Sequence, residues 1–70
     1  MQQYETALER AQRLASESGG RAAAQATWIE ELKRLGYDTE DEERKLALMK
    51  EQTWSAYAEL TRQQALAEQQ

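Results

Sequence analysis

Carboxylates crowd into one short stretch of the chain: Asp38, Glu40, Asp41, Glu42 and Glu43. Such a cluster could hold a cation or a basic partner. Calcium, however, needs oxygen ligands alternating around a central Gly, and this spacing lacks that pattern. The cluster instead suits the start of a helix, where negative charge complements the helix dipole. Thr39 would cap that helix, Glu42 would complete a capping box, and Glu40→Arg44 and Asp41→Lys45 would pair one turn apart. Ser16, Ser18 and Ser55 are available as nucleophiles, but the chain has no His and no Cys. It therefore lacks the commonest general base, any thiolate and the commonest transition-metal ligand. Di-iron bundle chemistry needs Glu-x-x-His pairs, and phosphate loops need a Gly-x-x-x-x-Gly-Lys run; neither occurs. The expectation is a protein that is not an enzyme, with no cofactor and no metal.

The cations give a weak basic patch. Arg10, Arg13 and Arg62 would meet at one end of the fold and could touch structured RNA. Acidic neighbours, Glu9 and Glu59 among them, argue for an ordinary mixed-charge face instead. So does a net charge of −4 with a pI near 4.8, since nucleic-acid binders are usually basic. Lys33, Arg34, Arg44 and Lys45 lie among eight acidic residues between positions 30 and 51. A charge of −4 interspersed with cations is also too weak a field for nucleic-acid mimicry. Neither a basic amphipathic face nor an apolar run of about 20 residues is present, so no membrane role is expected. Gln2, Gln3 and Tyr4 after Met1 do not resemble a secretory signal, and a cytoplasmic location is expected.

The side chains best suited to recognition are aromatic and aliphatic. Trp28, Trp54 and Tyr57 are of the types that anchor interfaces. Trp28 and Leu35, with Ala47, Trp54, Ala58 and Ala65, are candidates for a dimer or partner interface. Leu48 and Leu66 are candidates for exposed partner contacts.

These residues must be positioned by helices. Ala, Leu, Glu, Gln, Arg and Lys dominate, all good helix formers, and Pro is absent. Tyr4, Leu8, Ala11, Ala15, Ser18, Ala22, Gln25, Ile29 and Leu32 keep a 4-3 spacing straight through Ser16-Glu17-Ser18-Gly19-Gly20. Glu9→Arg13 and Glu17→Arg21 would add i,i+4 pairs. The pattern favours one helix over about residues 2–35, bent at the Gly pair, over a break that would give three helices. Gly36 suits a left-handed C′ position, so a turn over about 36–39 leads into a second helix over about 40–68. The whole chain, 1–70, is expected to be one all-α domain, an antiparallel hairpin of two long helices. Facing residues then have numbers that sum to about 75, which sets Tyr57 opposite Ser18 and Gly19. The second helix has a main stripe of Leu46, Met49, Thr53, Ala56, Tyr57, Leu60 and Ala67. A further stripe, Ala47, Trp54, Ala58, Thr61 and Ala65, is left over. A single seam cannot cover both stripes, and so small a core scarcely offsets chain entropy. Pairing of two hairpins into a homodimeric four-helix bundle would answer both problems.

The function expected from these features is non-catalytic protein–protein interaction. The chain would be a small regulator or inhibitor that occupies a partner's surface, of the size and class common among phage and mobile-element accessory proteins. The alternatives are a dimeric bundle that binds structured RNA, and a structural assembly or chaperone component.

Overall fold

The computed structural model describes residues 4–69 and shows two α-helices packed against each other as an antiparallel hairpin. Helix α1 spans Ala7–Arg34 and α2 spans Glu40–Glu68. The start of α1 lies later than the heptad pattern suggests, because Thr6 caps it. The Thr6 Oγ1 accepts from the Glu9 N–H at 3.0 Å, and a Glu9 carboxylate oxygen accepts from the Thr6 N–H at 3.1 Å. This reciprocal box satisfies two donors that the first turn would otherwise leave without partners. Tyr4 thus lies outside the helix and is exposed, whereas positions 2 and 3 of the expected helix fall outside the described residues.

The Gly pair neither breaks α1 nor turns it. Gly36 alone among the described residues has a positive φ, at 88°. It ends α1 in a Schellman motif: the Gly36 N–H donates to the Lys33 carbonyl and the Tyr37 N–H to the Leu32 carbonyl, both at 3.0 Å. The start of α2 corrects the expected capping box. Thr39 makes no side-chain cap bond and is buried, while an Asp38 carboxylate oxygen accepts from the Glu40 N–H at 3.1 Å. The carboxylate of Glu42 is drawn instead to α1, where the Gln25 Nε2 donates to it at 3.0 Å and to the Glu42 carbonyl at 3.2 Å.

The seam is thin. Ala11, Ala15 and Ile29 are its buried apolar residues, joined by Ser18, and all belong to α1. Leu46, Met49, Thr53, Ala56 and Leu60 cover them from α2, each half-buried, while Tyr57 and Ala67 of the same stripe stay exposed. Small residues on α1 receive larger ones from α2. The Tyr57 hydroxyl lies 3.7 Å from where a Cβ on Gly19 would stand, as the expected register requires. An ion pair, Lys33 Nζ to Glu43 at 2.8 Å, ties the helices near the turn. The result is a slab of 53 × 28 × 14 Å. Its thickness is little more than the diameter of one helix, about 10–12 Å, so each helix has two open sides.

Candidate functional site

The open sides carry the large apolar residues, and they divide them into two sets. Gly19 meets Tyr57 and Lys33 meets Glu43, which marks one face of the slab. Trp28 is nine residues from Gly19, about 180° around α1 at 3.6 residues per turn, and so lies on the opposite face. Trp54 is three residues before Tyr57 on α2 and shares the Tyr57 face. The two tryptophans therefore point to opposite sides of the molecule, exposed by 51% for Trp28 and 69% for Trp54.

On the Trp28 face, Leu14, Arg21 and Trp28 of α1 and its C-cap residue Leu35 follow one another at seven-residue spacing. Leu14, Trp28 and Leu35 are all exposed. Arg21 stands in the middle of this row; it donates to the Ser18 hydroxyl at 3.4 Å and has no carboxylate partner among the described residues. Leu48 sits towards the outer edge of α2 on the same side and is 60% exposed. Leu66 is exposed as well, by 45%. It lines a shallow cleft of about 650 Å³ at the open end of the hairpin, with Ala7, Leu8 and Ala67.

On the Trp54 face, Ala47 and Trp54 are seven residues apart on α2, next to Tyr57. Ala58, four residues after Trp54, is turned about 40° further round, towards the outer edge of α2, whereas Ala65, five full turns after Ala47, returns to the Ala47 line. Opposite them α1 presents Gly19, Ala22, Ala23 and Ala26 at i, i+3, i+4 and i+7 spacing, a low shelf beside two large aromatic rings. The structure thus separates Trp28 and Leu35 from Ala47, Trp54 and Ala65, and Ala58 lies nearer the outer edge of α2.

The basic patch is neutralised in place. Arg13 pairs with Glu5 at 2.8 Å and with Glu17 at 3.4 Å, Arg10 approaches Glu5 at 3.7 Å, and Arg62 pairs with Glu59 at 2.7 Å. The expected Glu9–Arg13 and Glu17–Arg21 pairs do not form, because Glu9 is committed to the cap and Arg13 takes Glu17. Arg44 pairs with both Glu40 and Asp41, and Lys45 with Glu42 rather than Asp41. These contacts shift the acids as expected for partnered carboxylates. Arg62, helped by Gln63, holds the Glu59 carboxyl down to about 2. Arg13 lowers Glu5, and Lys33 lowers Glu43 while itself being raised by it. No carboxylate cluster among the described residues is placed to hold a metal ion. Among them, no helix is long and apolar enough to cross a membrane. No family model matches this chain, and neither the curated proteins nor the solved structures provide a match.

Proposed function

We propose that this chain is a non-catalytic protein-interaction module, a small regulator or inhibitor that acts by stoichiometric occupation of a partner protein's surface. The observation that carries this reading is the row Leu14, Arg21, Trp28 and Leu35. It presents a half-exposed Trp between exposed Leu residues, none of them needed for the hairpin seam. Residues seven apart lie on one line of a helix and fit a second helix laid alongside. The partner this row suits is an amphipathic helix with apolar residues in the same repeat and a carboxylate to meet Arg21. Aromatic and Arg residues are also the types that most often dominate binding energy. Full pairing of Arg10, Arg13 and Arg62 with carboxylates weighs against the RNA alternative, because a phosphate would have to displace those acids.

The same reading includes a homodimer in which two hairpins form a four-helix bundle. A folded monomer of 8.1 kDa exposes about 4,500 Å² by the usual scaling, whereas this chain exposes 5714 Å². The excess, about 1,200 Å², exceeds the ~800 Å² that each partner contributes to a stable interface. The direct test is affinity capture from the native host with wild-type chain and with Trp28→Glu, both shown to be folded by circular dichroism. A protein retained in equimolar amount by the wild type, insensitive to moderate salt and lost with Trp28→Glu, is the expected result. An identical set of bound proteins for both chains would refute the proposed row.

A further inference from the structure

We infer that the Trp54 face is the one that takes a second copy of this chain, with both turns at the same end of the bundle. This rests on the dimer proposed above and specifies its geometry. The Trp54 face is the better candidate for self-association because it offers space as well as bulk. Trp54 and Tyr57 share it with Gly19, Ala22, Ala23 and Ala26, whereas the other face presents the large Leu14, Arg21, Trp28 and Leu35 along α1. Lys50, seven residues before Tyr57, gives this face one cation as Arg21 does the other, so charge does not choose between them. Aromatic residues are enriched in the cores of interfaces.

Two hairpins can stack face to face about a two-fold axis in only two ways, and bulk distinguishes them. With the axis across the helices, α2 lies on the second copy's α2 and α1 on its α1. The middle of α2 is Trp54, so the two large rings would meet head on while the small Ala22 and Ala23 of α1 faced their own copies. With the axis along the helices, each α2 lies on the second copy's α1 at an unchanged height. The Gly19–Tyr57 contact puts Trp54 level with Ala22. Each Trp54 therefore seats on the other copy's Ala22, Ala23 and Ala26, beside the Gly19 that Tyr57 of that copy covers, and the contact occurs twice. Both arrangements keep neighbouring helices antiparallel, so the dipoles do not choose between them. Bringing two acidic α2 starts to one end is eased by Lys33, Arg44 and Lys45, which already pair with Glu43, Glu40, Asp41 and Glu42. In this dimer the rows containing Trp28 face outward on opposite sides, so one dimer offers two equivalent docking rows.

The test uses the absence of native Cys. Tyr37, exposed in the turn, is replaced (Tyr37→Cys) and spin-labelled, and the label-to-label distance in the full chain is measured by pulsed electron spin resonance. Turns at one end should give a separation below about 30 Å, from interaxial distances of about 8–10 Å plus the label tethers. A distance near the 53 Å length of the slab overturns the inference but leaves the dimer standing. Loss of any intermolecular coupling, with a monomer mass, overturns both. A second variant, Ala23→Leu, fills the exposed shelf without touching the seam. It should stay helical and become monomeric at micromolar concentration; an unaltered dimer would contradict the seating of Trp54.

Discussion

The two glycines Gly20 and Gly36 should respond in opposite directions to the same substitution. Gly20 lies inside α1, its φ is not positive, and a Cβ there would meet nothing within 4 Å. Ala is better than Gly in a helix interior by about 0.8–1.0 kcal/mol, and no contact subtracts from that gain. Gly36 also has open space around it, but its φ is 88°. A side chain there carries the left-handed penalty of roughly 1–2 kcal/mol, partly offset by a less flexible unfolded chain. For a domain of this size, 1 kcal/mol moves Tm by about 4–8 °C. Gly20→Ala should therefore raise Tm by about 4–8 °C and Gly36→Ala lower it by about 2–8 °C. Thermal melts followed by circular dichroism check this, at matched concentration because association makes Tm concentration-dependent. A fall in Tm for Gly20→Ala, or shifts of the same sign in both variants, would refute a continuous α1 ended by a left-handed glycine.

The acid side of the stability curve should carry the mark of Glu59, Glu5 and Glu43. Their folded-state values lie below the usual 4.5, so the stability they supply is complete above about pH 4.5 and is lost as pH falls through the folded values, to about 2 for Glu59. Melts between pH 5 and pH 2 should show a falling Tm, and Glu59→Gln should flatten its lowest part; a flat wild-type curve contradicts the pairing. Leu48→Ala should lower Tm less than Leu66→Ala, because Leu48 is 60% exposed and lines no cleft. Leu66→Ala should cost about 1 kcal/mol, since the side chain is half-covered in the open-end cleft; equal melts for the two variants would remove the distinction. Combined Arg10→Ala, Arg13→Ala and Arg62→Ala should leave partner binding intact. If that variant alone loses function, and RNA binding by the wild type falls steeply with salt, the RNA alternative replaces the protein-binding one.

Much of the architecture was legible because it rests on local signals that agree. Gly36 after Leu35 ends a helix, an acidic run begins the next, and an unbroken 4-3 spacing carries α1 through Gly19-Gly20 against the turn signal of the Gly pair. The matching of Tyr57 to Gly19 fixes the register by size. Side-chain bonding at the helix ends was less legible, because several partners compete. Thr39 is drawn inward and Asp38 takes its capping role, while Glu9 serves the Thr6 box in preference to Arg13. The allocation of Trp28 and Trp54 to opposite faces depends on the sense of rotation away from each seam as well as its size. Periodicity that compares only the size of the offset merges the two stripes into one interface. Leu66 is exposed, as its angle off the main stripe implies, but the open-end cleft that it lines with residues of α1 was not legible from periodicity along α2 alone.

On the proposed reading, the hairpin is completed by association through its Trp54 face, and sedimentation equilibrium on the wild type and Trp54→Glu, at micromolar concentration, measures that association. The wild type should show twice the 8.1 kDa chain mass. Trp54→Glu should sediment as a monomer of lower helicity, since a charge placed in an apolar interface is strongly unfavourable. A wild-type monomer that is fully helical and melts cooperatively would contradict the account.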